Sequence, residues 1–175
     1  NVDTGMGLDR TIAVLNNLQS VFETDLLKPT FDAVQQLARS KGKNVLKSQR
    51  IITDHLRAAV FILGDEHGVV PSNTDQGYVL RRLIRRAVRH GKLLGIEENF
   101  CDKIGKTVLD SYKNVYPELK KNYNKVLEEL EKEETKFKHT LENGTQLLHR
   151  EIEQLKKPGQ KALTGKTAFD LYQSF

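Results

Sequence analysis

Five arginines fall within nine residues of this chain: Arg81, Arg82, Arg85, Arg86 and Arg89. With Lys92 they make six fixed positive charges between Gly77 and Gly95, a stretch with no acidic residue. On a helix that turns about 100° per residue from Leu80, these arginines fall between about 100° and about 240°. Leu80, Leu83, Ile84, Ala87 and Val88 take the opposite arc, so the pattern predicts a helix with one buried apolar face and one face of arginine. Arginines at i and i+4 repel one another unless something anionic neutralises them. Phosphate suits the task, because a guanidinium binds it through two parallel hydrogen bonds. Pairing with carboxylates elsewhere in the fold is the other reading, and residue type leaves both open. The lack of acidic residues within the segment tips the balance toward a polyanion.

Two shorter patterns carry weaker chemistry. The stretch Val70-Pro71-Ser72-Asn73 precedes the arginine helix. An asparagine amide offers a donor and an acceptor and can read a base edge, although the residue type by itself favours a turn or a helix cap. Asp3-Thr4-Gly5-Met6-Gly7-Leu8-Asp9-Arg10 is a glycine-containing turn feeding a helix, where backbone N–H groups and Arg10 could approach phosphate. As a bare pattern it is common. Gly165-Lys166-Thr167 looks like the end of a P-loop, but five residues separate Gly159 from Gly165 where four are needed, and no apolar strand precedes it. The histidines, His55, His67, His90, His139 and His149, have no metal-ligand spacing and read as core or surface residues.

Helices are predicted to position these groups. Leu8, Ile12, Leu15, Leu18 and Phe22 recur at helical spacing, and Phe31, Val34, Leu37 and Ala38 follow the start signal Pro29-Thr30. Ile51, Ile52, His55, Leu56, Ala59, Val60 and Leu63 are apolar over a wide arc, which predicts a core helix ending at Gly64. The turn-rich stretch Gly64–Gly77 predicts a loop. The arginine helix then runs from about Tyr78 to Leu94, and another from about Asn99 to Asn114. From Pro117 to Pro158 a very long helical segment is expected, with Val126, Leu127, Leu130, Phe137, Leu141, Leu148, Ile152 and Leu155 as its stripe and Gly144 as a point of bending or breakage. It holds nine Lys/Arg and nine Glu and is neutral; it reads as a solvated element rich in i,i+4 pairs, or as part of a coiled coil. A short last helix follows Thr164, a capping type. The only strand expected is a short one at the first few residues. The fold class is therefore all-α, a helical bundle with one very long helix.

The bulk composition narrows the class further. The chain has 175 residues, 38% hydrophobic and 29% charged, which is neither disordered nor membrane-spanning in character. The net charge of +5 is a weak pointer to nucleic acid by itself; its concentration in one segment is the stronger one. One cysteine, Cys101, rules out an internal disulfide and a cysteine-rich metal site. With no signal-peptide pattern at Asn1-Val2-Asp3, a cytosol or organelle matrix is expected, and Asn143-Gly144-Thr145 is a chance sequon. The opening without Met suggests a piece of a longer protein.

Taken in order, Val2 to Arg10, Arg50-Ile51-Ile52-Thr53-Asp54-His55-Leu56-Arg57-Ala58, Pro71-Ser72-Asn73, the block Gly77-Tyr78-Val79-Leu80-Arg81-Arg82-Leu83-Ile84-Arg85-Arg86-Ala87-Val88-Arg89-His90-Gly91, and Gly165 to Tyr172 closely resemble the alanyl-tRNA synthetases, a family of class II aminoacyl-tRNA synthetases. The resemblance spans the whole chain. It implies that residues 1–25 are the end of the catalytic domain, carrying motif 3, and that residues 26–175 are the helical tRNA-recognition domain. Arg10 would then contact ATP phosphate, Gly5 and Gly7 the nucleotide through backbone, and Asp3 the amino group of alanine. Asn73 would read the G·U wobble at the third base pair of the acceptor stem, and Arg81, Arg82, Arg85, Arg86 and Arg89 would hold its phosphates. The family often has an Asp right after the Leu-Tyr pair near this chain's end, which also reads the wobble pair. Here that position is Gln173, which keeps a carbonyl acceptor and loses the charge. ATP and Mg would serve the parent enzyme, and zinc only an editing domain outside this chain. Motifs 1 and 2 are not in the sequence, so the chain alone is expected to bind RNA and not to activate alanine. A helical scaffold with its arginines paired internally, and a free-standing binding protein derived from a synthetase, are the alternatives.

Overall fold

The computed structural model describes residues 5–40, 44–155 and 162–174, and these are mostly helical with no strand among them. The strand expected at the first few residues falls at positions 1–4, outside the described residues. The helices are α1 (Leu8–Leu15), α2 (Lys28–Leu37), α3 (Val45–Gly64), α4 (Asp75–Leu93), α5 (Cys101–Tyr112), α6 (Pro117–Lys121), α7 (Tyr123–Leu155) and α8 (Gly165–Ser174), with a 3-10 turn at Val21–Glu23. The chain divides into two compact units, Asn1–Glu134 and Thr135–Phe175.

In the first unit, α3 and α4 pack along their lengths. Ile52, Leu56, Ala59, Val60 and Leu63 of α3 are fully buried, as are Leu80, Ile84 and Ala87 of α4. The apolar arcs read from the sequence are therefore the arcs that meet. Helix α5 adds Ile104, Val108 and Leu109, and the first turns of α7 add Val126 and Leu130. Gly105 permits the close approach: a Cβ there would stand 2.5 Å from Cδ1 of Leu130. The N-terminus of α5 is closed by a carboxylate from α7. The N–H groups of Phe100 and Cys101 donate to Oε2 of buried Glu134, at 3.0 and 2.8 Å. This satisfies orphan helix donors and sets a negative charge at the positive end of the helix dipole.

Several boundaries differ from the sequence expectation, each for a local reason. The stripe Leu8–Phe22 does not form one buried face. Helix α1 stops at Leu15, the chain turns through Asn17 in the left-handed region (φ 53°), and Leu8 and Leu15 are 68% and 76% exposed. Phe22 lies beyond that turn and packs on Phe31, with ring centroids 5.8 Å apart. Helix α4 begins at Asp75, before Tyr78, and Gly95 (φ 74°) follows its end. The segment beginning at Pro117 is interrupted at Asn122. That side chain leaves its own helix direction and donates to the carbonyls of Gly64 (3.0 Å) and Asp65 (3.3 Å), closing the C-terminus of α3. Helix α7 passes through Gly144 without a break.

In the second unit, Phe137 and Leu141 are half-buried, whereas Leu147, Leu148, Ile152 and Phe169 are exposed. Thr164 caps α8 as its residue type suggested: its Oγ1 accepts from the Thr167 N–H at 3.1 Å. That amide is thus committed to the cap, which removes the P-loop reading of Gly165-Lys166-Thr167.

Candidate nucleic-acid interface

The arginine face exists, and the helix divides it in two. Arg81 and Arg85 are half-buried, while Arg82, Arg86 and Arg89 are exposed, with Arg82 and Arg89 opposite the buried arc. Arg85 is 21% exposed and its Nε donates to Oε1 of Glu133, itself 7% exposed, at 2.6 Å. Arg81 donates through Nη1 to Oδ1 of Asn73. Arg82, Arg86 and Arg89 are exposed, and none has an ion pair among the described residues. At about 1.5 Å per residue they extend over roughly 10 Å, the length of about three nucleotide steps along a duplex strand.

Tyr78 supports the first turn of this face. The guanidinium groups of Arg81 and Arg82 stand 5.3 and 5.7 Å from its ring centroid, within cation–π range. Its place three and four residues ahead of those arginines is a same-face relation legible in the sequence.

The loop before α4 is tied to the helix it precedes. Ser72 N–H donates to the Gly77 carbonyl (3.1 Å), and Ser72 Oγ donates to the Thr74 carbonyl (2.8 Å) and accepts from the Thr74 N–H (3.3 Å). Gly77 is buried beneath it; a Cβ would strike Ser72 Oγ and stand 2.6 Å from the Val70 carbonyl. Asp75 takes φ 49°, which Asp tolerates better than most residues. Asn73 sits exposed at the tip of this fixed loop, beside Arg81.

At the other end of the face, His90 Nδ1 lies 3.0 Å from Ser48 Oγ. Burial lowers the His90 pKa below its ordinary value, and the positive charges of Arg86, Arg89, His55 and Lys47 push the same way. Asp54, on the neighbouring stretch of α3, is lowered by its hydrogen bond from His55. The arginine face therefore continues onto α3 as a positive field with one local carboxylate.

The N-terminal motif is only partly assembled. Gly5, Gly7 and Arg10 are exposed, and a Cβ at Gly5 would meet nothing within 4 Å, so no cradle for a nucleotide is formed by these residues alone. Asp3 lies outside the described residues. Asp9 is held by α3: Arg57 Nη2 donates to its Oδ2 at 3.0 Å. A cavity of about 510 Å³ opens beside this pair, lined by Phe61, Tyr112 and Tyr116 among others. Two sequence blocks 48 residues apart thus meet, which no local pattern announced. Gln173 belongs to the backbone of α8, and its side chain lies outside the described residues. Among the described residues no three of His, Cys, Asp and Glu converge as a metal site requires, and no helix is long and apolar enough to cross a membrane.

Arg82, Arg86 and Arg89, exposed and without an ion pair among the described residues, form a basic helical surface with an exposed amide at its edge. The family model described as tRNA synthetases class II (A) matches residues 1–175, and the chain belongs to that family. Its relatives point to one member. The protein named Alanine--tRNA ligase of Caldicellulosiruptor saccharolyticus is 44% identical over 178 residues, covering 100% of this chain and 20% of that protein. Those of the same name from Clostridioides difficile (43% over 178 residues, 100% and 20%) and Buchnera aphidicola (46% over 175 residues, 99% and 19%) are similarly close. The chain spans about a fifth of the length of the relatives it matches.

Proposed function

We propose that this chain is the acceptor-stem recognition part of an alanine–tRNA ligase. The parent enzyme would ligate alanine to its tRNA with ATP and Mg, in the cytoplasm or an organelle. Residues 1–25 are the end of its catalytic domain, with Gly5, Gly7 and Arg10 toward ATP and Asp3 toward alanine. Residues 26–175 are the tRNA-recognition domain, and zinc belongs to an editing domain outside this chain. Arg82, Arg86 and Arg89 carry the backbone phosphates, and Asn73, with Gln173 as a second candidate, reads the G·U wobble at the third pair. Arg81 and Arg85 stand on the same face.

The observation that carries this reading is the stripe Arg82, Arg86 and Arg89, exposed and without an ion pair among the described residues, next to an exposed Asn73. Three like charges in a row need an anion, and a phosphate backbone supplies several at a fixed spacing. The Arg85–Glu133 pair favours a second reading in part, a scaffold whose arginines are neutralised within the fold.

The deciding experiment is binding of the 175-residue chain to an acceptor-stem hairpin with G·U at the third pair, and to the same hairpin with G·C, at two salt concentrations. Tighter binding to the G·U stem, weakened by salt, is expected. Salt-sensitive binding without preference would leave a phosphate-binding module, and no binding to either stem would leave the scaffold. Alanine-dependent ATP–pyrophosphate exchange is expected to be absent from the chain alone.

A further inference from the structure

We infer that Arg81 is a positioning residue for Asn73, holding the amide oxygen so that the nitrogen, with its two N–H donors, faces an incoming ligand. This rests on the reading of Asn73 as a base-contacting residue and adds to it what kind of atom it contacts.

A primary amide can turn over and present either its oxygen or its nitrogen to a partner. Beside Arg81 that freedom is gone. A guanidinium carries donors only, so the amide atom facing it must be the carbonyl oxygen, and Arg81 Nη1 does donate to Asn73 Oδ1. The nitrogen is then turned away from Arg81, with two N–H groups for an incoming ligand. Both ends of the bond are anchored. Arg81 lies over the Tyr78 ring, and the loop carrying Asn73 is tied to Gly77 and Thr74 through Ser72. The outward N–H groups favour acceptors on a ligand. Base-edge acceptors are O4 or O2 of uracil and O6, N7 or N3 of guanine.

The test uses the 175-residue chain with Asn73→Ala, Asn73→Asp, Arg81→Met and Arg81→Lys, each assayed against the G·U and G·C hairpins. Methionine keeps the length and helix propensity of the arginine and removes its donors. Asn73→Asp keeps the pairing with Arg81 and removes the two outward donors. The G·U over G·C preference should fall roughly tenfold in Asn73→Ala, Asn73→Asp and Arg81→Met. It should fall less in Arg81→Lys, and the double change Asn73→Ala with Arg81→Met should be no worse than Asn73→Ala alone. A readout independent of RNA accompanies these. The Asn73 side-chain NH2 should be ordered by 15N relaxation in the parent chain and mobile in Arg81→Met. If Arg81→Met retains the preference while Asn73→Ala loses it, or weakens both stems equally, the positioning role is overturned and base reading by Asn73 survives. If Asn73→Ala leaves the preference intact, base reading falls and the positioning role with it. An Asn73 amide as mobile in the parent chain as in Arg81→Met also overturns the inference.

Discussion

Arg85 Nε lies 2.6 Å from Glu133 Oε1, and both side chains are largely withdrawn from solvent. One arginine of the basic face is therefore spoken for by the fold before any ligand arrives. Removing one partner of such a pair leaves a charge without compensation. Glu133→Gln and Arg85→Ala should each destabilise the chain by about 1–3 kcal/mol, read from urea unfolding. Unchanged midpoints for both would return Arg85 to the solvent-facing set.

Arg86→Ala and Arg89→Ala should behave in the opposite manner. Exposed and unpaired among the described residues, they should alter stability by no more than about 0.5 kcal/mol. Each should weaken binding to G·U and G·C stems alike. Each should also reduce the slope of log affinity against log salt by about 0.9, the value for one phosphate contact on duplex DNA. A slope that does not move would mean that these side chains do not meet phosphate.

Gly77→Ala addresses the loop. Its new methyl would press on the Val70 carbonyl and on Ser72 beneath Asn73. The expected cost is about 1–3 kcal/mol of stability, as for other overpacked sites. A displaced loop should also lower the G·U preference more than the overall affinity. Retention of both stability and preference would show that the loop yields freely.

His90 supplies a pH signature. Burial first, and then the positive charges of Arg86, Arg89, His55 and Lys47, hold its pKa below 6.5. Because its folded pKa is depressed, the folded state binds fewer protons than the unfolded chain. Stability is fully present above about pH 6.5 and declines as pH falls toward the folded pKa. A phosphate bound beside Arg86 and Arg89 would relieve the positive field, so His90 should titrate at higher pH in the complex with the G·U hairpin than in the free chain. Ring-proton NMR across pH 5 to about 8 reads both values. Identical titration with and without RNA would place the phosphates away from this end of α4.

The amino-acid sequence by itself determined the helical class, most of the helices and the two faces of α4, because amphipathic periodicity is a local property: buried and exposed positions alternate with the turn of one helix whatever it packs against. It also determined that the positive charge is concentrated there, and it carried the family resemblance that the comparisons bore out. The Thr164 cap was legible for the same local reason. What only the tertiary structure decided are relations between residues far apart in the chain. Glu133 reaches Arg85 across 48 positions, Arg57 reaches Asp9 across another 48, and Asn122 closes the end of α3. The first of these sets Arg85, held by a buried carboxylate, apart from Arg82, Arg86 and Arg89, which look equivalent to it in sequence and are exposed. That split belongs to the tertiary fold, because a charge is neutralised by whatever stands within a few ångströms of it, and chain order does not fix that distance.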